Sequence, residues 1–236
     1  MPGTTEGIVL KKVSYSSSSA IATIYTRKFG QTPFMVRGIG KKGGKSAALQ
    51  PLTRVEIVCR FREKNQVQSL TGLTVKPGSG FSGHPVKAAT SMFLAEFLYK
   101  ALRVESADEE LYDFLDSALE YFADDENSTN FHLILLIKLT RFFGFHPSGK
   151  WSEKSNWFDL LNGLYTTDRN SSLHMLEPRL SWFLYEMSLA GFDQKIGELT
   201  NTDRRKLLHA LVEYYQIHLE GLGEIKSLPV LIEIFS

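Results

Sequence analysis

The sequence predicts an α+β protein in which a small β-barrel precedes an α-helical domain. Three observations predict this order. Apolar residues alternate with polar ones over residues 1–75, Gly and Pro interrupt the chain at 76–85, and apolar residues recur every three or four positions from Val86 onward. We therefore expect an N-terminal domain at 1–78 and a helical domain at 79–236.

The N-terminal domain contains five segments with strand-like alternation. They are EGIVLKKV, IATIYT, TPFMVRGI, VEIVCRF and QVQSLTGLTV. Gly30, between the second and third segments, suits the tight turn of a hairpin. Five strands in so short a span close most economically into a Greek-key barrel of the OB-fold type, because closure removes the exposed edges.

The second domain contains segments with helical periodicity, separated by one irregular insert near residues 144–176. We expect caps at Ser128 or Thr129 and at Thr202. The acid-rich stretch 105–126 is expected to be a solvated helix face. The expected helices are 86–102, 107–125, 128–145, 177–192 and 201–222.

Charge is distributed unevenly along the chain. Residues 1–78 hold 13 Lys/Arg against three acids, a net charge of +10, whereas the remainder holds 14 against 23, a net of −9. A compact domain with this excess of positive charge is typical of proteins that bind nucleic-acid phosphates. A basic face that is merely solvated is the alternative.

Several classes of protein are excluded by composition and by the N-terminus. No apolar run is long enough to span a membrane, and no basic head precedes an apolar stretch at the N-terminus. The single cysteine, Cys59, cannot form an internal disulfide, which suits a reducing cytoplasm. We expect a cytoplasmic protein associated with the nucleoid.

The stretch RGIGKKGGKS (37–46) ends like a Walker A motif, but the glycine that the motif requires five positions before Gly44 is replaced by Ile39. Pro51 also leaves little room for the long helix that should follow Lys45. The sequence therefore predicts a flexible cationic loop rather than a nucleotide site.

These segments, in this order, resemble the RecO family of recombination mediators. The segments that carry the resemblance are IVLKK with Tyr15, IATIYTRKFGQ, VRGIGKKGGKS, LQPLTRVEI, FHLILLIKLTRFFGFHP and LLHALVEYYQIHLEGLGEIKSLPVL. The resemblance implies an OB-fold followed by a helical domain. It also implies a non-enzymatic protein of recombination and repair that binds single- and double-stranded DNA, anneals complementary strands and helps load RecA, with RecR and single-stranded-DNA-binding protein as partners.

Two features depart from the family pattern. The acidic segment that usually follows the position of Tyr15 is replaced by Ser16–Ser19. Many members carry four zinc-binding cysteines after the turn that corresponds to Gly144–Pro147, and this chain has none there, so no structural zinc is expected.

A basic face of the barrel is the predicted DNA-binding site. Tyr15, Tyr25, Phe29 and Phe34 lie close by in sequence and could stack on bases, although Tyr25 and Phe34 also suit the barrel core. The predicted DNA-binding cations are Lys11, Lys12, Arg27, Lys28, Arg37, Lys41, Lys42 and Lys45. Arg54, Arg60 and Arg62 are left out, because they could lie on another side.

A partner site is predicted on the central helix. The acidic tail of single-stranded-DNA-binding protein ends in an apolar residue with a free carboxylate, and it needs an apolar groove beside a cation. Phe131, Leu135, Lys138, Arg141 and Phe142 offer that chemistry. The alternative is that this helix is core and that its cations only reach the surface.

No catalytic or metal-binding pattern is present. The histidines lack metal-ligand spacing, no G-x-S-x-G occurs, and Cys59 lies in the apolar row of a strand. We expect neither an enzyme nor a cofactor. A basic protein-interaction adaptor that does not bind DNA is the second interpretation.

Overall fold

The computed structural model describes residues 3–39, 45–79, 85–102, 107–124, 128–194 and 196–234. The chain forms two compact units, Met1–Glu126 with Ile225–Ser227 (unit 1) and Asn127–Glu224 with Leu228–Ser236 (unit 2). The boundary between the two units follows Glu126 and so lies later in the chain than the boundary that composition predicts, because the first two helices belong to the same unit as the barrel.

Five strands of unit 1 close into a barrel in the order β1-β2-β3-β5-β4. All neighbouring strands are antiparallel except β3 and β5. Gly30, at a φ of +62°, completes the turn between β2 and β3. The barrel confirms the predicted fold class. Its strands are β1 (Gly3–Ser16), β2 (Ser19–Thr26), β3 (Gly30–Arg37), β4 (Arg54–Cys59) and β5 (Gln68–Val75).

Alternation along the strands fills the barrel with apolar side chains. Gly7 lies where β1 pairs with β2 and β4 together. A Cβ at Gly7 would lie 2.5 Å from Ile24 Cγ2, so the close packing there requires glycine. The buried core consists of Val9, Ala20, Ala22, Ile24, Phe34, Val36, Leu49, Val55, Ile57 and Cys59.

Two helices complete unit 1, namely α1 (Pro85–Ala101) and α2 (Glu109–Asp124). α1 packs against β1 and buries residues around most of its circumference. α2 is amphipathic and buries an apolar stripe that includes Leu111, Leu115 and Phe122. Both helices were predicted from apolar periodicity.

Unit 2 is mainly helical, with a small sheet of order β7-β6-β8 inside the predicted insert. The buried carboxylate of Asp159 accepts hydrogen bonds from Ser171 Oγ at 2.7 Å and Ser172 Oγ at 2.8 Å. Burial alone would raise the pKa of Asp159, but these and other hydrogen bonds lower it to about 2. The elements are α3 (Phe131–Leu139), β6 (Trp157–Asp159), β7 (Leu164–Thr166), β8 (Met175–Leu176), α4 (Pro178–Leu189), α5 (Asn201–His218) and α6 (Leu228–Ile234).

Several helix boundaries differ from the predictions. The N-cap of α3 is Asn130 and not Ser128 or Thr129, and its side chain forms no capping hydrogen bond. α3 ends at Leu139 and not at 145, because the chain continues in tight turns up to Gly144, which has a φ of +80°. The cap of α5 is Thr200 and not Thr202, since Thr200 Oγ1 accepts from the backbone N–H of Asp203 in a capping box. Within the described ranges, no helix is both long and apolar enough to cross a membrane.

Candidate nucleic-acid interface

Six of the eight predicted DNA-binding cations fall on described residues, and Lys41 and Lys42 lie outside them. The six occupy three different surroundings. Lys11, Lys12, Arg37 and Lys45 lie at one end of the barrel, whereas Lys28 lies at the other end and Arg27 contacts α2.

A bulge in β1 turns Lys11 and Lys12 towards solvent. Between Val9 and Lys11 the pairing with β2 shifts register. Val9 bonds here to the segment before β4, with Leu52 N donating to Val9 O at 2.8 Å and Val9 N donating to Thr53 O at 3.0 Å. Beyond the bulge β1 pairs only with β2, so both lysines are exposed.

The outer surface of β1, β2 and β3 places Lys11 and Arg37 on one face. Val13, Ile21 and Met35 are cross-strand partners in adjacent strands. Lys11 is two residues before Val13 and Arg37 is two residues after Met35, so all share a face. Val13 is 50% exposed, which leaves an apolar patch between the two cations.

Lys12 connects this surface to the end of the 37–46 loop. Its Nζ donates to Ser46 Oγ at 3.1 Å, and Lys45 is the preceding residue. Only a three-residue 3-10 turn, Ala47–Leu49, follows Ser46, so the long helix of a Walker A motif is missing. We define the basic edge as Lys11, Lys12, Arg37 and Lys45.

Lys28 does not share the basic edge. Its Nζ donates to the carbonyl of Thr4 at 2.8 Å. Thr4 precedes Lys12 on β1 by eight residues, which corresponds to about 26 Å along a strand. Lys28 therefore lies at the opposite end of the barrel from Lys12.

Arg27 forms ion pairs with two carboxylates of α2. Its Nε donates to Asp113 Oδ1 at 2.8 Å, and its Nη1 lies 2.6 Å from Glu109 Oε2. The hydrogen bond to Asp113 raises the pKa of the Arg27 guanidinium and lowers the pKa of Asp113. Arg27 and Lys28 therefore correct the expectation of a single face of eight cations.

Asp116 of α2 also forms ion pairs with two other cations, Lys76 and Arg54. Lys76 Nζ lies 2.8 Å from Glu6 and 2.9 Å from Asp116. Burial lowers the pKa of Lys76, but hydrogen bonds to Asp116 and Glu6 outweigh it and raise the pKa. Arg54 is 3% exposed and lies 3.7 Å from Asp116. The prediction of a solvated acidic face is wrong for Asp116, whose side chain is 18% exposed, whereas Glu109 and Asp113 remain more than half exposed.

The predicted aromatic residues separate into core and surface. Phe34 is buried in the barrel core, whereas Tyr25 faces outward from β2 and is buried against α2, with its ring centroid 6.2 Å from that of Tyr112 and its hydroxyl donating to Asp108 O. Phe29 is half-buried and stacks on Phe61 with ring centroids 4.2 Å apart, at the end of the barrel that holds Lys28. Tyr15 is 69% exposed on β1 and is the one aromatic of the predicted four that is free to stack on a base near the basic edge.

The predicted partner site on α3 is partly inaccessible. Phe131 and Leu135 are buried inside unit 2, so they cannot line an open groove. Arg141 is exposed, whereas Lys138 and Phe142 are half-buried. Burial, and then the charge of Arg141, lower the pKa of Lys138. These three residues remain candidates for a partner surface.

A groove between β1 and α1 was not predicted from the sequence. It has a volume of about 510 Å³ and is lined mainly by Lys11, Lys12, Met92, Tyr99, Lys100 and Lys226. Helical periodicity marks α1 only as core, so it gives no sign of a groove. Lys226 and Ser227 belong to the C-terminal segment that carries the family resemblance. That resemblance is the one sequence feature that could have pointed to this region.

The described residues hold no cluster of three or more His, Cys, Asp or Glu side chains arranged to bind a metal ion. Cys59 is buried in the barrel core, and burial raises the pKa of its thiol. Its position is that of an apolar core residue.

Comparison with known proteins gives matches over most of the chain. Residues 1–77 match the family model described as Recombination protein O N terminal, and residues 84–229 match Recombination protein O C terminal. The chain is 32% identical to the DNA repair protein RecO of Christiangramia forsetii over 98% of both chains. It is 31% identical to that of Bacteroides fragilis and 30% identical to that of Phocaeicola vulgatus, again over 98% of each chain.

Proposed function

The chain belongs to the recombination protein O family, and we propose that it serves DNA repair and recombination by binding DNA phosphates at the basic edge of its barrel. Family membership supports the role in repair. The basic edge supports the mode of binding.

The observation that carries the proposal is the availability of these four cations. Within the part of the chain that the structure describes, Lys11, Lys12, Arg37 and Lys45 form no ion pair with a carboxylate. The barrel cations Arg27, Arg54 and Lys76 all do. Cations whose charge no carboxylate of the protein offsets can replace the counterions condensed on a DNA strand, and release of those ions drives binding.

Bound strands are brought together by charge neutralisation. Two complementary strands repel each other through their phosphates, and a basic surface that offsets this repulsion lets them pair. The protein makes or breaks no bond in this process. The expected result is annealing of single strands, together with binding of duplex DNA.

Protein partners extend this activity. RecR and single-stranded-DNA-binding protein are the proposed partners, and loading of RecA onto single-stranded DNA at the nucleoid is the proposed outcome. The turn after α3 that contains Arg141 is the proposed contact for an acidic tail, since it pairs an exposed cation with the half-buried ring of Phe142.

An annealing assay tests the proposal. Complementary fluorescent oligonucleotides are mixed with the wild type or with the variant Lys41→Ala/Lys42→Ala/Lys45→Ala, and the rate of pairing is followed. We expect the wild type to accelerate pairing and the variant to lose most of the acceleration, because three phosphate contacts are removed.

The matched control is Lys64→Ala, which removes an exposed lysine from the loop between β4 and β5. We expect this variant to anneal like the wild type. A triple variant that anneals at the wild-type rate would refute the site. A wild type without DNA affinity at low salt would favour the adaptor interpretation.

A further inference from the structure

The groove between β1 and α1 combines apolar walls with several cations. Met92 is 50% exposed on α1 and adjoins Ala95, while Leu10 and Pro51 form the opposite side. Lys11 Nζ lies over the Tyr99 ring, 4.3 Å from its centroid, in a cation–π contact. An apolar cleft edged by ammonium groups suits a ligand that has both a flat apolar part and anionic groups.

The positive charge of the groove is not cancelled by its one acidic residue. Glu96 accepts from the backbone N–H groups of Lys226 at 2.9 Å and Ser227 at 2.8 Å, and from Ser227 Oγ at 2.7 Å. Lys100 Nζ lies 3.0 Å from the same carboxylate. Glu96 therefore fastens residues 226–227 to α1, and four lysines face one carboxylate in the lining.

The groove is continuous with the basic edge. Lys11 and Lys12 belong to both, and Lys12 also bonds to Ser46 at the end of the 37–46 loop. A strand whose phosphates contact these lysines on the barrel is thereby directed into the groove. An acidic peptide in the groove would instead compete with that strand for Lys11 and Lys12.

We propose that this groove seats a nucleobase of single-stranded DNA against Met92 and Tyr99, while the exposed Lys226 contacts a flanking phosphate. This inference rests on the proposed function, because it extends the DNA path from the barrel onto α1 and residues 226–227. Duplex DNA cannot use the seat, since its bases are stacked and paired. The groove therefore gives the protein a preference for single strands.

The first test measures the salt dependence of binding. The ligand is fluorescently labelled oligo(dT) of about 20 nucleotides, which is longer than the roughly 4–16 nucleotides that one OB-fold covers. The variant Lys226→Gln should lower the slope of log affinity against log salt by about 0.7. The wild-type advantage should therefore shrink about 2.6-fold between 50 and 200 mM salt. Lys64→Gln is the charge-matched control and should not change the slope.

The second test asks whether a base enters the groove. Met92→Gln replaces an exposed side chain, so folding is not expected to change. It should reduce the affinity for oligo(dT) while leaving the affinity for an abasic strand of equal length, and for a duplex, unchanged. On the abasic strand, the wild type and Met92→Gln should therefore bind with equal affinity.

Several outcomes would overturn the inference without touching the proposed function. One such outcome is that both groove variants bind oligo(dT) with the affinity of the wild type while Lys12→Ala/Arg37→Ala binds it weakly. If Lys226→Gln weakens the binding of single strands and of duplex equally, Lys226 contributes only general positive potential. If a fluorescent acidic peptide binds through the groove and oligo(dT) does not, the groove serves a protein partner. A wild type that binds no DNA would remove both proposals together.

Discussion

A cation contributes to DNA binding mainly when no carboxylate of the protein already neutralises its charge. Arg37 and Arg27 lie on neighbouring strands or their turns and carry the same charge, but their surroundings differ. Arg37 is exposed at the end of β3, whereas Arg27 is held by two carboxylates of α2. Displacing those carboxylates would offset what a phosphate contact gains, so the two arginines should differ in their effect on binding.

Single substitutions separate the two arginines. Arg37→Ala should weaken oligo(dT) binding and lower the salt slope by about 0.7, because one phosphate contact of a single strand is lost. Arg27→Ala should leave the slope unchanged. Fluorescence anisotropy at four or five salt concentrations measures both slopes. Equal slopes for the two variants would show that the ion pairs on Arg27 do not matter for binding.

Local sequence could not distinguish these arginines. Arg27 and Asp113 are 86 residues apart, so no spacing rule links them. The exposure of Lys11 and Lys12 was easier to predict, since two consecutive lysines cannot both face a barrel core. Phe34 fills the barrel core, as its apolar ring and strand position indicate, whereas Tyr25 is buried under α2, a contact that local sequence does not indicate.

Elements with a regular period were predicted well, and elements without one were not. The five strands and α1, α2 and α4 follow their periodicity closely. α3 was overextended because its sequence is apolar on all sides and gives no periodic end. The sheet of β6, β7 and β8 was missed, since strands of two or three residues are too short to show alternation.

The packing of α2 depends on its acids as well as on its apolar stripe. Asp116 contacts both Lys76 and the buried Arg54. We expect Asp116→Asn to lower the free energy of unfolding by about 1.5–3 kcal/mol, since Lys76 loses a hydrogen bond to a charged oxygen and the buried Arg54 loses the carboxylate 3.7 Å away. Urea denaturation followed by circular dichroism measures the change.

The control for this prediction lies on the same helix. Glu110 is exposed in the first turn of α2, so Glu110→Gln should change the free energy of unfolding by no more than about 0.5 kcal/mol. If Asp116→Asn is as mild as its control, the carboxylates of α2 are not structural, and the account of Arg54 and Lys76 is incorrect.

At the scale of the molecule, the distribution of charge matters more than its total. The net charge of +10 on residues 1–78 indicated a DNA-binding domain, but the sequence could not show which charges remain available. Folding places the acids of α2 in the same compact unit as the barrel and pairs them with Arg27, Arg54 and Lys76. Of the described cations in residues 1–78 that have no carboxylate partner, Lys11, Lys12, Arg37 and Lys45 lie at the basic edge beside the groove. The others lie elsewhere, Lys28 at the opposite end of the barrel and Arg60, Arg62 and Lys64 between β4 and β5.

The salt dependence of single-strand binding tests the role of the basic edge most directly. The wild type and the variant Lys12→Ala/Arg37→Ala/Lys45→Ala are titrated with labelled oligo(dT) between 50 and 200 mM salt. The wild-type slope of log affinity against log salt should be at least about 3 in magnitude, and the variant should lose about 2 of it. Equal slopes in the two proteins would contradict the account, because DNA would then be held by other residues.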